Sequence, residues 1–223
     1  MPTNPDDLHD FLRTRRSVRR FKPDPVPAPL VERILTTATY APSAHNLQPW
    51  RFVLIPRSDD FNRPPKTTDP TGALRGVVTT WKKLAQALTS AMRADMLSEG
   101  ASESDIEQRV ARSLRRLDEA PVIILLCRDV TAVREHKPED TVMAIQSVAA
   151  AGTYLLLAAH AEGLGGNWIC WPLYAQSATR AALGLPETWE PQAMIFLGVA
   201  NETPKEKAVK PLAEMMGWHR ENR

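Results

Sequence analysis

The sequence predicts an α+β fold, because helical and strand-like segments are mixed along the chain without strict alternation. Helical spacing of apolar residues is clearest at Ile106, Val110, Leu114 and Leu117. Strand-like apolar runs are clearest in WRFVLI and in VIILLC. The length of 223 residues fits one large domain, so we expect a single domain over residues 1–223.

The first part of the chain is predicted to hold two short helices, a strand and a polar loop. A proline suits the first turn of the second helix, and the loop is rich in Pro, Asp, Asn and Thr. In chain order, we expect a helix over Asn4–Arg13, a helix from Pro29 to about Ala41, a strand over Trp50–Ile55, and an exposed, mobile loop over Pro56–Gly72.

The rest of the chain is predicted to alternate longer helices with short strands. A capping-box pattern of Ser104 and Glu107 places one helix start at Ser104. We expect helices over about Ala73–Leu97, from Ser104, over Pro138–Glu162 and over Ser177–Leu183. We expect strands at VIILLC and Ala193–Val199, and a short strand or an extended loop at NWICW. The helix over Pro138–Glu162 is apolar nearly all round, so it should be enclosed on every side. A partner subunit is a natural way to enclose it.

The composition is that of an ordinary soluble protein, with 43% hydrophobic and 24% charged residues. Lys and Arg number 28 against 26 Asp and Glu, a net charge of +2. A nucleic-acid binder that relies on charge is usually more basic, so we expect no nucleic acid. A small basic nucleic-acid protein built around Arg13–Arg20 stays an alternative, although that segment lacks interleaved aromatic residues.

The cysteines and the apolar segments favour a cytoplasmic protein. Cys127 and Cys170 form no disulfide framework and lack metal-ligand spacing, which fits a reducing compartment and predicts no metal. The start, MPTNPDDLHDFLRTRR, lacks the pattern of a secretory signal. The stretch Ser147–Gly165 has an unbroken apolar part of about 13 residues, shorter than the ~20 of a membrane span. We therefore expect a core helix and no membrane partner.

A basic segment near the start is the first candidate for binding chemistry. Arg15, Arg16 and Arg19 stand within a few residues of the Ser17 hydroxyl. Guanidinium groups match phosphate oxygens and form strong charge-assisted hydrogen bonds. A phosphate site is one interpretation, and a solvated basic face or a nucleic-acid patch is the other.

Two further segments could read a flat polar ligand. Ala41–Trp50 places small and amide residues between two prolines, so its donors and acceptors could face the edge of a heterocycle. An ordinary Asn/Ser turn is the alternative. Gly163–Trp171 has glycines that let backbone N–H groups approach a ligand closely. A helix C-cap is the alternative there, and the dinucleotide fingerprint is absent.

Taken together, these segments resemble a known family. The order RRSVRRF, APSAHNLQPWRF, AEGLGGNWICW and a lysine-rich tail resembles the flavin-dependent nitroreductases over roughly Phe11–Leu212. The resemblance implies a central mixed sheet flanked by helices, an intertwined homodimer, and one FMN at each of two interface sites. LLLAAHAEGLGGNWICWPLY and LPETWEPQAMIFLG look most like the reductase domain fused to the glutamate ligase of coenzyme F-420 biosynthesis, but no ligase domain is present here.

The resemblance also implies a set of cofactor-binding residues. Arg15, Ser17 and Arg19 match positions that hold the FMN phosphate, ribityl chain and ring edge, and Arg16 stands among them. Ser43 and Asn46 match a loop that reaches the flavin, partly from the partner subunit. The remaining positions are the backbone at Ile169, Cys170 and Trp171, which faces flavin N5, and Lys207 and Lys210, expected at the phosphate although Val209 stands where relatives carry Arg.

The implied activity is that of an FMN-dependent oxidoreductase. NAD(P)H would donate electrons, and an electron-poor organic acceptor would receive them in a ping-pong cycle. No catalytic side chain is expected, since the cofactor carries the chemistry. His45 is a candidate proton donor or simply a turn residue, and Arg93 is a candidate contact for an anionic substrate. The alternative function is a flavin-binding carrier or sensor without turnover.

Overall fold

The computed structural model describes residues 4–56 and 80–217. Its strands are β1 (Trp50–Pro56), β2 (Val122–Asp129), β3 (Gly165–Ile169) and β4 (Trp189–Gly198). Its α-helices are α1 (Pro5–Thr14), α2 (Ala28–Ala38), α3 (Thr80–Ser98), α4 (Glu103–Glu119), α5 (Pro138–Ala161) and α6 (Gln176–Leu183). The predicted loop over Pro56–Gly72 lies outside the described residues except for Pro56, as do residues 73–79 of the helix expected from Ala73.

The four strands form one sheet in the order β1-β2-β4-β3, and each pairing between them is antiparallel. All eight residues of β2 are buried, because helices cover both faces of the sheet. Ile124 and Leu126 point into a core shared with α2 and α5. Ile123 and Leu125 point into a second core shared with α3 and α4. This double burial explains why VIILLC is apolar at every position rather than at alternate positions.

Helix α5 is the central helix of one layer. Ala151, Leu155 and Ala159 are fully buried in the core shared with the sheet. The opposite side leaves Val142 54% and Ile145 40% exposed. The helix is long and apolar enough to cross a membrane by length and composition, yet it packs on the sheet as the core helix that the sequence predicts. The expected enclosure on every side is therefore incomplete within one chain.

The basic segment lies against the edge strand β3. Ser17 forms a parallel bridge with Gly166, and the Val18 N–H donates to the Gly166 carbonyl at 3.1 Å. Val18 is 4% exposed. Among the described residues, this bridge is the only parallel pairing, so the sheet is mixed only at that point.

Glycine at position 165 makes that approach possible. A Cβ on Gly165 would lie 2.8 Å from the Val18 Cβ and 2.9 Å from its Cγ1. These atoms belong to a short, branched and buried side chain that has no room to swing aside. The absence of a side chain at position 165 therefore sets the distance between the basic segment and the sheet.

The structure corrects the position of one predicted helix start. The N-cap of α4 is Ser102, whose Oγ accepts a hydrogen bond from the Asp105 N–H at 3.2 Å. The Ser-x-x-acid pattern occurs twice in this segment, and the chain uses the earlier copy. Glu107 is then free to bind Arg93. The capping box predicted for Ser104 and Glu107 is wrong for this reason.

Replacement of Gly165 by alanine should move the basic segment away from β3. Overpacking of this kind costs about 1–3 kcal/mol of unfolding free energy. We expect Gly165→Ala to lower the melting temperature and to raise the hydrogen-exchange rate of the Val18 amide. Gly217→Ala is the matched control, since no atom lies within 4 Å of a Cβ there. Equal melting temperatures for the two variants would contradict the close packing of Val18.

Candidate functional site

The start of the basic segment is fixed by α1. The Phe11 and His160 rings stack with their centroids 4.9 Å apart, and Thr14 Oγ1 lies 3.2 Å from His160 Nε2. His160 is half-buried at the end of α5. Burial, followed by the charges of Arg15 and Arg16, lowers its pKa, while a hydrogen bond with the Phe11 backbone opposes the shift. Through these two contacts, His160 docks α1 on the end of α5.

Arg15 and Arg16 bring two positive charges together at a partly buried position. Burial and the neighbouring Arg16 lower the pKa of the Arg15 guanidinium. Arg16 Nη1 donates to the carbonyl of Arg15 at 3.0 Å and also to that of Arg13. In the part of the chain that the structure describes, no carboxylate pairs with Arg15 or Arg16. Partly buried charge without a counter-ion favours an anionic ligand.

The next turn of this segment is held by Glu202. The backbone N–H groups of Arg19 and Arg20 both donate to Glu202 Oε1, the latter at 3.2 Å. The Arg20 side chain pairs with Glu119, with 2.5 Å between Nε and Oε2. Arg19 is exposed, and no salt bridge joins its side chain to a carboxylate of residues 4–56 or 80–217. Of these two arginines, only Arg19 is left available for a ligand.

The loop around Ser43 is strained. His45, Asn46 and Gln48 have φ values of 52°, 56° and 49°, a left-handed conformation that favours glycine. Each such residue costs about 1–3 kcal/mol and is found most often at functional sites. Ser43 Oγ accepts from the Gln48 N–H at 3.1 Å, and Asn46 Oδ1 accepts from Gln48 Nε2 at 3.0 Å. The structure therefore shows the Asn/Ser turn, and a ligand contact of this loop stays a prediction.

The structure does not bring this loop to the basic segment within one chain. The Ala44 N–H donates to Ser147 Oγ at 3.2 Å, whereas the basic segment is docked at His160. Ser147 and His160 are about 20 Å apart along α5. A ligand that touches both segments at once would therefore have to be long or to lie between two chains.

The end of β3 is brought close to the basic segment. Ile169 is about 10 Å along the strand from Gly166. Cys170 is exposed, and its Sγ accepts from Trp168 Nε1 at 3.1 Å. Trp171 is buried, and its Nε1 donates to the Leu88 carbonyl at 3.1 Å. Trp171 thus anchors this segment, and its side chain is not free to stack on a ligand.

A pocket of about 520 Å³ opens beside this segment, between α3, α4 and the end of β3. Its lining residues are Met92, Asp95, Met96, Glu99, Arg109, Arg112, Ser113, Arg116, Ile169, Cys170, Trp171, Tyr174 and Phe196. The three arginines on α4 were not predicted as site residues from the sequence. Their spacing places them on one helix face, but the apolar face of the same helix dominated the pattern.

Arg116 connects this pocket to the basic segment. Burial is the first cause that lowers its pKa, followed by the charges of Arg19, Arg112 and Arg109, while Glu202 opposes the shift. Arg19 and the α4 arginines therefore contribute to one region of positive potential.

Arg93, predicted to contact substrate, is bound elsewhere. Its Nη2 donates to Glu107 Oε2 at 3.0 Å, and its Nη1 also reaches that carboxylate. Arg93 does not line the pocket, so the structure gives no support to its assignment. Lys207 and Lys210 are exposed in the tail after β4, and their predicted contact with a phosphate stays a prediction.

The two thiols should differ sharply in reactivity. Burial, followed by the charge of Glu190, raises the pKa of Cys127 to about 12, whereas Cys170 is exposed. The thiolate is the reactive form, so a disulfide reagent at pH 8 should modify Cys170 alone in the folded protein. We expect Cys170→Ser to abolish this reaction and denaturant to restore the Cys127 thiol. Rapid reaction at Cys127 in the folded protein would contradict its burial.

Comparisons with known proteins agree with this architecture. The Nitroreductase family profile matches residues 12–199. A 5,6-dimethylbenzimidazole synthase from Rhodospirillum rubrum is 32% identical over 228 residues, which covers 97% of this chain and 91% of that protein. A Desulfovibrio desulfuricans protein assigned as a nitroreductase and solved in complex with FMN is 26% identical, with a TM-score of 0.68 and coverage of 97% and 98%.

A third relative shares the fold at lower identity. The FMN-dependent nitroreductase NfnB from Mycobacterium smegmatis, solved in complex with NADPH, is 20% identical with a TM-score of 0.68, covering 96% of this chain and 99% of that one. The α+β arrangement of helices around this sheet is thus the nitroreductase fold predicted from the three motifs. The chain belongs to the nitroreductase family.

Proposed function

We propose that this protein is an FMN-dependent oxidoreductase that takes electrons from NAD(P)H and delivers them to an electron-poor organic acceptor. The bridge between Ser17 and Gly166 carries this proposal. It joins the segment whose Arg15, Arg16 and Arg19 side chains pair with no carboxylate among the described residues to the strand that leads to Ile169 and the exposed Cys170. Phosphate donors and a surface for a flat ring thereby lie along one edge of the sheet.

The residues present fit FMN. Arg15, Arg16 and Arg19 offer charged donors without a carboxylate partner in the described residues, and Ser17 adds a hydroxyl. We assign these residues to the phosphate and the ribityl chain, with Lys207 and Lys210 of the tail as further phosphate contacts. When bound, FMN supplies hydride acceptance and donation. The backbone from Ile169 to Trp171 orients the ring, and Trp171 keeps that backbone in place.

We further propose a homodimer in which Ser43 and Asn46 reach the site of the other chain. The separation of about 20 Å along α5 supports this arrangement. The exposed Val142 and Ile145 on α5 give an apolar surface for a second copy. A particle mass of one chain in solution, measured by light scattering, would contradict it.

We assign no side chain of this protein a role as nucleophile or proton donor. Cys170 is exposed beside the proposed ring position, but the Trp168 indole N–H already binds its sulfur. His45 belongs to the strained loop, and nothing in its surroundings singles it out as a proton donor. The electron donor and the acceptor would therefore bind in turn at the same open face of the flavin ring. We expect the parallel lines in double-reciprocal plots that are typical of a ping-pong cycle.

Two unpaired cysteines agree with a reducing, cytoplasmic setting.

Two narrower activities are candidates for this oxidoreductase. The resemblance of AEGLGGNWICW and its flanks supports a reductase of coenzyme F-420 biosynthesis, which should turn over a dehydro precursor of that coenzyme. The Rhodospirillum rubrum relative supports instead a 5,6-dimethylbenzimidazole synthase. Mass spectrometry of aerobic mixtures of the FMN-loaded protein and NADPH, with and without the precursor, separates the two by product.

An absorbance scan of the purified protein tests the general proposal. We expect a yellow protein whose flavin absorbance bleaches with NAD(P)H, and whose released ligand has the mass of FMN. NAD(P)H should be consumed in the presence of a quinone or a nitroaromatic compound. FMN binding without consumption above background would favour the carrier or sensor function. A colourless protein that ignores added FMN would refute both functions.

Removal of one guanidinium from the basic segment should weaken FMN binding. A hydrogen bond to a charged group contributes about 1.5–3 kcal/mol, so Arg15→Gln and Arg19→Gln should each raise the Kd for FMN roughly tenfold to a hundredfold. Flavin fluorescence titration measures this change. Arg33→Gln is the control, since Arg33 forms a surface pair with Glu162, and surface pairs contribute little.

A Kd that is unchanged in both variants would exclude the phosphate role of this segment. Melting temperatures should accompany each titration, because the three arginines are at least partly exposed and their replacement should leave the fold stable. A loss of flavin without a loss of stability identifies a binding effect.

A further inference from the structure

The 520 Å³ pocket has an apolar wall and a basic wall. Met92 and Met96 of α3 lie on the apolar side together with Tyr174. Arg109, Arg112 and Arg116 project from one face of α4. A cavity of this size holds a small organic molecule, and its two walls fit one that has a planar apolar part and an anionic group.

The positive charges of the basic wall are not neutralised at close range. Within residues 4–56 and 80–217, no ion pair joins a carboxylate to Arg109, Arg112 or Arg116. Asp95 and Glu99 of α3 also line the pocket but do not form such a pair.

Arg109, Arg112 and Arg116 span a greater length of α4 than a single anionic group would contact. Arg109 and Arg116 are about 10 Å apart along α4. The Arg116 end is near enough to Arg19 and Glu202 for their charges to act on it, and Arg19 belongs to the proposed flavin site. The Arg109 end extends away from it past Arg112. An anionic group held there would leave the rest of the molecule directed toward Cys170 and Ile169.

We propose that Arg109, Arg112 and Arg116 form a subsite for an anionic group, phosphate or carboxylate, on a substrate that reacts at the flavin. This inference rests on the proposed function, because the flavin defines where the substrate reacts. The substrate is anionic, as in the prediction for Arg93, but here the arginines of α4 bind its anionic group instead of Arg93 on α3. The anion has two possible sources, the 2′-phosphate of NADPH or an acidic group on the acceptor.

Paired probes on the FMN-loaded protein distinguish the two sources. NADP⁺ is compared with NAD⁺ by calorimetric Kd, and NADPH with NADH by kcat/KM as electron donors. With NADPH as the reductant, 4-nitrobenzoate is compared with the neutral 4-nitrobenzyl alcohol by kcat/KM, and both also by calorimetric Kd. The variants are Arg109→Gln, Arg112→Gln and the double variant. Arg115→Gln is the matched control, since Arg115 is exposed on the same helix but does not line the pocket. Glutamine keeps helix propensity, and melting curves verify folding.

We expect the double variant to weaken one of the two probes, NADP⁺ or 4-nitrobenzoate, roughly tenfold, while the counterpart that lacks the extra anionic group and the FMN Kd stay unchanged. Loss with NADP⁺ identifies the donor phosphate, and loss with 4-nitrobenzoate identifies an acidic acceptor. Equal effects on charged and neutral probes, an equal effect of Arg115→Gln, or a parallel loss of FMN overturns the subsite. If the wild-type protein takes up no FMN, the proposed function fails, and the same titrations on the flavin-free protein still decide the subsite.

Discussion

The contact of Val18 with the side-chain-free edge of β3 is the constraint on which the candidate site depends. It fixes the distance between the basic segment and the strand, since the Val18 side chain fills the space that a Cβ of Gly165 would occupy. The hydrogen bond from Val18 to Gly166 fixes the register. Arginines that would otherwise be a solvated basic stretch are thereby held along the edge of the sheet. The position of these arginines therefore follows from packing and not from their charge.

Helix α5 holds the basic segment and the strained loop at opposite ends. One end docks α1 through His160, and the Ser147 hydroxyl near the other end holds the strained loop. Both segments carry motifs typical of the family, yet a single chain keeps them far apart. The helix that forms the core therefore also sets the distance of about 20 Å between these two segments.

Much of the fold could be predicted from the sequence, because the local pattern of apolar residues matches the burial of those residues in the structure. VIILLC is a strand enclosed on both faces, and the apolar helix over Pro138–Glu162 ends within a residue of its expected boundary. The start of α4 was misplaced because two Ser-x-x-acid patterns overlap and only tertiary packing selects Ser102.

The candidate site was less predictable than the fold. The Arg93 side chain was assigned to substrate from its place in the chain, whereas its partner Glu107 comes from the next helix. The arginine face of α4 could not be recognised as a pocket wall until α3 and β3 were packed beside it. Pairings between distant segments leave no local signal in the sequence.

The backbone N–H groups of Arg19 and Arg20 donate to the Glu202 carboxylate, and this contact between distant segments constrains the order of folding. The basic segment leaves the ribosome before its partners on β3 and after β4, which follow it by about 150 to 185 residues. Closing so long a loop carries an entropy cost that is repaid only when those partners are in place. The basic segment therefore gains its backbone partners only after Glu202 has been synthesised, and a chain terminated before that residue would carry the arginines without the carboxylate that holds their backbone.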